Sequence, residues 1–180
     1  MIHLQNFPGL DDTVKLKKVL KTDSLNQVVG SILLEKNISV ATAESCTGGL
    51  LAHKLTLVPG SSAYFPLGLV TYDNLWKERL LSISNHLLSA RGAVSPEVAA
   101  AMAEGVRFRA ETDLGVGITG IAGPGGGSMD KPVGLVYIAV ANNTQTTVKR
   151  FHFHGKRQEI KENSARAALA LMLDFLGENI

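Results

Sequence analysis

From Asp12 the apolar positions Val14, Leu16, Val19, Leu20, Leu25, Val28, Val29, Ile32 and Leu33 recur near helical spacing, which predicts one or two helices ending near Asn37. Residues 38–43 (ISVATA) then read as a strand. Thr47-Gly-Gly opens a helical stretch through Leu57, which Pro59-Gly60 stops. A strand is expected within Tyr64 to Tyr72, a short helix over Asn74 to Leu81, and another from Leu87 to Arg91. Ser95-Pro-Glu is a helix start, with Ser as N-cap, Pro at the first helical position and an acid in the first turn. That helix should run to about Glu111. Leu114 to Thr119 is apolar on both alternating faces and reads as a buried strand, followed by a loop from Gly120 to Asp130. Val133 to Val140 and Thr146 to Phe153 are two further strands joined by a hairpin-like turn, and Arg157 to Leu176 closes the chain as an amphipathic helix. Helices and strands alternate, and then two strands pair antiparallel. The fold class expected is three-layer α/β/α, with a mixed, mostly parallel sheet and helices on both faces. Residues 1–11, with Pro8 and Gly9, read as a loose lead-in, and residues 12–180 as one domain.

Composition narrows the partners. Of 180 residues 45% are apolar, enough to build a core. Eighteen basic against sixteen acidic residues leave a charge of +2, no surplus for a polyanion, so nucleic acid is not an expected partner. One cysteine excludes an internal disulfide and a multi-cysteine zinc site. No apolar run approaches the roughly 18 residues needed to cross a bilayer. The first twenty residues carry acids and Pro8 in place of a signal peptide's apolar stretch, so a cytoplasmic protein without a membrane partner is expected.

Three constellations carry candidate chemistry. In Thr42-Ala-Glu-Ser-Cys-Thr-Gly-Gly, a strand ends at Ser45 and a small-residue turn opens a helix. Such a junction exposes a hydroxyl at the carboxyl edge of a sheet, where open α/β sheets bind ligands, and free N–H groups at a helix start suit an oxyanion or a phosphate. On pattern alone it reads equally as an ordinary Ser/Thr cap. Ala43 and Glu44 before the serine exclude the G-x-S-x-G elbow. The second constellation is the glycine-rich run from Gly117 to Ser128, whose backbone can approach a ligand closely. Gly115, Gly117 and Gly120 spell G-x-G-x-x-G. The dinucleotide reading fails because the first two lie inside the strand and Pro124 stands where a helix should begin. The third is Val70-Thr-Tyr-Asp-Asn-Leu-Trp-Lys. Tyr72 and Lys77 converge only if the tyrosine ends the strand and the lysine sits on the next helix. His152 and His154 share a strand face but lack the further ligands of a metal site, and no metal is expected.

Taken together, ATAESCTGG (41–49), VPGSSAYF (58–65), GLVTYDNLWK (68–77), GAVS (92–95), GITGIAGPGGG (117–127) and KPVGLVYIA (131–139) resemble the CinA C-terminal domain family, in the family's order and spacing. That family includes stand-alone nicotinamide mononucleotide deamidases. The resemblance implies hydrolysis of the carboxamide of nicotinamide mononucleotide to nicotinate mononucleotide and ammonia, without a cofactor. The family's catalytic serine, tyrosine and lysine match Ser45, Tyr72 and Lys77. The family often reads G-D-R-x-x-V-R-x-R after its last strand. Here Arg157 is kept, Lys161 and Asn163 replace arginines, and Lys156 replaces an acid. A homo-oligomer, most simply a dimer, is also implied. The long CinA proteins carry a further N-terminal domain that these 180 residues lack.

A serine hydroxyl needs a base, and no histidine offers itself, so Ser-Lys logic is the expectation, with Lys77 acting directly or through Tyr72. Lys77 would have to be neutral, and Leu75 and Trp76 beside it are candidate apolar walls. Backbone N–H groups around Cys46, Thr47 and Gly48 are the oxyanion candidates, with Gly49 also lining the substrate. The ribose and 5′-phosphate fall to the Gly120–Ser128 loop, with Gly120, Gly123, Gly125 and Gly126 and with Thr119 at the end of the preceding strand as binding candidates, and Arg157 as a charge partner. The alternatives are a non-catalytic relative that binds a nucleotide or a partner, and an amidase for a different amide.

Overall fold

The computed structural model of the chain describes residues 25–178. The expected lead-in and the apolar positions Val14 to Leu20 lie outside the described residues. Helix α1 (Leu25–Glu35) buries Leu25, Val29 and Leu33, one face at a spacing of four. Strand β1 (Val40–Glu44) follows, and all five of its residues are buried. After α2 (Leu50–Thr56) and a 3-10 turn (Ser61–Ala63) come β2 (Leu67–Val70), α3 (Asn74–Leu81), α4 (Asn85–Arg91) and α5 (Pro96–Ala110). The chain ends with β3 (Leu114–Gly120), β4 (Leu135–Ala141), β5 (Thr146–His152) and α6 (Arg157–Phe175).

The five strands form one mixed sheet in the order β2-β1-β3-β4-β5. β1 pairs parallel with both β2 and β3, while β3–β4 and β4–β5 are antiparallel. Four of the five strands therefore point the same way, and β4 alone opposes them. The chain leaves β1 for a neighbour on one side and later returns to a neighbour on the other. The carboxyl end of β1 is thus a topological switch point, where loops diverge and leave a crevice. The register brings Glu44 level with Val70 and Ile118, and Gly120 level with Val136. Five segments consequently reach one edge: the turns after β1, β2 and β3, the lead into β4, and the link from β5 to α6.

Helices cover both faces. On one, α1, α2 and α6 bury Val29, Leu33, Leu51, Leu55, Ile160, Leu169 and Met172 against Val116, Ile118 and Ile138. On the other, α3, α4 and α5 close over β1 with Leu81, Leu88, Val98, Met102 and Val106. Each such side chain removed from water contributes roughly 1.5–3 kcal/mol. The glycines inside β3 have their reason on this second face. A Cβ at Gly115 would lie 2.0 Å from the Ala103 carbonyl oxygen, and one at Gly117 would lie 2.4 Å from that of Ala99. Helix α5 rests directly on the strand backbone, and only hydrogen at these positions allows it.

Boundaries follow local chemistry. Ser95 caps α5, its Oγ accepting from Val98 N–H at 3.3 Å. Asp73 caps α3, with Oδ1 accepting from Leu75 N–H at 2.8 Å. The helix expected to open at Thr47 begins instead at Leu50, because Gly48 (φ 65°) and Gly49 (φ 92°) are left-handed. Strand β4 begins two residues later than expected. Gly134 N–H donates to the Ile121 carbonyl at 2.7 Å while its own carbonyl accepts from Phe153 N–H at 2.9 Å, so it serves as a junction before the β4–β5 ladder.

Candidate functional site

Ser45 is the first residue beyond β1, its N–H donating to the Ile118 carbonyl at 2.9 Å. Thr71 is the first beyond β2, its N–H donating to the Glu44 carbonyl at 2.9 Å. These two extensions of the parallel ladders put the serine beside the β2–α3 link. Lys77 lies one turn into α3 and points back under that link, only 1% exposed. Its Nζ is 2.8 Å from the Thr71 carbonyl oxygen, 3.5 Å from that of Tyr72 and 3.4 Å from Ser45 Oγ. The convergence required of Tyr72 and Lys77 is met through the backbone of the tyrosine.

Burial lowers the pKa of Lys77 below the ordinary lysine value, against the opposing charge of Asp73. A neutral amine has two N–H bonds and one lone pair. Two carbonyls within reach and one hydroxyl match that inventory: the carbonyls accept, and the lone pair is left for the serine proton. At 3.4 Å the contact with Oγ is long for a hydrogen bond, as is common before a substrate tightens a site.

Glu44 organises the turn. Fully buried at the end of β1, it accepts from Leu51 N–H at 3.0 Å through Oε2 and from Ala52 N–H at 2.8 Å through Oε1. The Leu51 and Ala52 N–H groups of α2 are therefore consumed internally, and a ligand at this turn meets the donors that precede them. Among the described residues no backbone carbonyl accepts from Cys46 or Thr47 N–H. Those two groups lie against the Cys46 sulfur, a weak acceptor that a stronger one displaces. The thiol is pushed up to about 12, first by burial and then by the Glu44 charge, so Cys46 stays protonated and is no rival nucleophile.

Tyr72 is 56% exposed, and its phenol lies at the mouth of the site, accepting from Arg157 Nη2 at 2.7 Å. Arg157 Nη1 donates to the Gly123 carbonyl at 2.8 Å. One guanidinium thus ties the β2–α3 link to the glycine-rich loop. In that loop Gly125 and Gly126 are exposed and Gly123 holds φ 75°. Thr119 and Gly120 belong to β3: the Thr119 hydroxyl donates to the Ala93 carbonyl at 2.7 Å, and Gly120 is packed against the backbone of Leu135 and Val136. The structure brings Ser45, Lys77, the Cys46–Gly49 turn, Tyr72, Arg157 and the Gly123–Gly126 loop to one edge, with Thr119 engaged inside the sheet.

Sequence reading did not single out Glu44 or Thr71, although an acid directly before a turn rich in free N–H groups is a signal for the first. A surface depression of about 530 Å³ opens at the opposite edge, lined by Ile38, Arg107, Asp113 and Asn142, away from Ser45 and Lys77. Among the described residues no group of three or more His, Cys, Asp or Glu is arranged to hold a metal, and no helix is long and apolar enough to cross a membrane.

A domain of this architecture has known counterparts. The CinA C-terminal domain family matches residues 22–176, and the chain belongs to that family. A relative from Moorella thermoacetica, named as a competence-damage inducible protein, is 56% identical over 150 residues, 83% of this chain and 36% of its own length. A CinA-like protein from Geobacter sulfurreducens is 51% identical over 147 residues, 82% of this chain and 36% of its own. The chain spans little more than a third of the curated relatives it matches. Among solved structures, the competence/damage inducible protein CihA from Agrobacterium tumefaciens superposes with a TM-score of 0.82 at 35% identity, covering 96% of this chain and 99% of that one.

Proposed function

We propose that the chain is an amidohydrolase that converts nicotinamide mononucleotide to nicotinate mononucleotide and ammonia, with Ser45 as nucleophile and Lys77 as base. The observation that carries this reading is the 3.4 Å separation of Lys77 Nζ from Ser45 Oγ, with the amine buried and its pKa lowered. Family membership supports the class of chemistry, and the substrate comes from the resemblance to the stand-alone deamidases.

In the first half-reaction Ser45 Oγ attacks the carboxamide carbon while its proton passes to Lys77. The oxyanion sits against the Cys46 and Thr47 N–H groups, and one such donor typically contributes about 3 kcal/mol. The C–N bond then breaks, the Lys77 ammonium returns its proton to the leaving nitrogen, and ammonia departs from an acyl-Ser45 ester. In the second half-reaction Lys77 takes a proton from water as it attacks the ester; the acyl–Oγ bond breaks, the Lys77 ammonium returns the proton to Ser45 Oγ, and the acid leaves as its carboxylate, shedding its proton to solvent. The direct contact makes a phenol bridge unnecessary. Tyr72 supplies its carbonyl to the amine and its ring to the rim of the site. The Gly123–Gly126 loop and Arg157 receive the ribose and the 5′-phosphate.

The test is ammonia release from the purified chain with Ser45→Ala alongside. Ammonia and nicotinate mononucleotide should appear together, and the variant should fall at least about a thousandfold. Mononucleotide binding without ammonia over hours, or a Ser45→Ala variant as active as the parent, would overturn the proposal.

A further inference from the structure

The carboxyl edge of the sheet holds a cation that the scheme above does not use. Lys161 lies on α6, half-buried, four residues after Arg157. A Cβ built on Gly48 would lie 3.4 Å from Lys161 Nζ, so the ammonium stands directly over the turn that follows Ser45. Among the described residues no carboxylate or hydrogen-bond acceptor pairs with it. The acids nearby are committed elsewhere. Glu162 pairs with Lys54 at 2.5 Å, Glu159 accepts from Lys156 N–H at 2.6 Å, and both oxygens of Glu44 hold α2.

Positions four apart on a helix share a face about 5–6 Å apart, and two like charges so placed repel. Arg157 and Lys161 are such a pair: Arg157 is held by the Gly123 carbonyl, and Lys161 Nζ stands over Gly48. A face with two adjacent cations and no anion of its own is complementary to a ligand anion. Lys161 reaches the turn at Gly48, three residues beyond Ser45, whereas Lys77 is the amine at the serine hydroxyl itself.

From this we infer that Lys161, beside Arg157 and over Gly48, is the specificity-determining residue that holds the phosphomonoester of the substrate. The inference rests on the amidase reading for the identity of the phosphorylated ligand, and on geometry alone for the anion position. It adds Lys161 to the charge recognition that Arg157 brings to the first turns of α6, beside the glycine-rich loop. A substrate without the phosphate loses this anchor but reaches the same serine.

The experiment compares the parent chain with Lys161→Ala and Lys161→Arg on nicotinamide mononucleotide and on its dephosphorylated nucleoside. For the nucleotide, Lys161→Ala should raise KM at least tenfold, with the loss falling on KM and not on kcat. Lys161→Arg should restore KM to within about threefold, and the nucleoside should not distinguish the three proteins. A nucleotide KM within twofold of the parent in Lys161→Ala, or an equal loss for the nucleoside, overturns the proposal. A second readout is calorimetric titration with inorganic phosphate: Lys161→Ala should bind at least fivefold more weakly than the parent. Equal phosphate binding by both proteins, or none by the parent, overturns it. The two readings also fail separately. Phosphate held through Lys161 without ammonia release removes the amidase alone, whereas ammonia release with unchanged phosphate binding removes the Lys161 site alone.

Discussion

Replacing Lys77 by methionine keeps most of the length of a buried side chain and removes only its amine. The amine is the group in contact with Ser45 Oγ, and it is braced by the carbonyls of Thr71 and Tyr72. No substitute base stands by: both Glu44 oxygens are occupied, and the Cys46 thiol at about 12 holds its proton. A general base typically contributes 10²–10⁴-fold, and in the proposed scheme the same nitrogen also protonates the leaving group. The expected loss is near the upper end, about 10⁴-fold in kcat/KM, or about 5.4 kcal/mol of barrier. The assay is ammonia release against pH. In the parent chain only the neutral amine accepts a proton, so kcat/KM should fall tenfold per pH unit on an acid limb centred below the ordinary lysine value. The residual activity of Lys77→Met should lack that limb. Stability gives an independent reading. Because the folded value of Lys77 is lowered, the unfolded chain binds more protons between the folded and unfolded values, and stability rises with pH across that window. Below the folded value the amine is charged in both states, and its burial weighs fully against the fold. Lys77→Met should flatten the rise in Tm across the window. A variant that keeps more than a tenth of parental kcat/KM, or retains the acid limb, would refute the role given to Lys77.

Three further outcomes follow from other parts of the molecule. Cys46 should resist thiol reagents at pH 8 in the folded chain and react fully once unfolded, and Cys46→Ala should keep activity within about threefold; rapid native labelling would contradict the raised thiol pKa. Gly115→Ala should cost about 3 kcal/mol or more in urea unfolding, because its methyl would lie 2.0 Å from a helix carbonyl that cannot move without shifting α5. Lys156→Asp should stabilise by about 1 kcal/mol and raise Tm. Glu159 already reaches back to the N–H of residue 156, while an ammonium at the N-cap cannot accept in return, and an aspartate can.

What the sequence disclosed was what short-range chemistry controls. Ser95-Pro96-Glu97 announces the start of α5, and the Asn74–Leu81 helix has the bounds its pattern predicts. The pairing of Ser45 with Lys77 was carried by resemblance to a family, because 32 residues separate them and the contact depends on which strand β1 lies beside. The glycines of β3 were misleading in isolation. They imitate part of a nucleotide fingerprint, yet their cause is a helix lying on the strand backbone from the other side of the sheet. Thr119 was grouped with the glycine-rich loop by adjacency, but its hydroxyl answers to the Ala93 carbonyl, a long-range partner that no local pattern names. Lys161 was read as standing in for a family arginine. Its position over Gly48 follows only from how α6 returns across the sheet.

The carboxylate at the end of β1 has one more consequence. By clasping two amides of α2, Glu44 brings its own negative charge to the positive end of that helix, so the site's electrostatics are settled before any ligand arrives. The strand, the turn and the helix are fastened as one piece, so the proposed reaction would leave the serine turn little to rearrange.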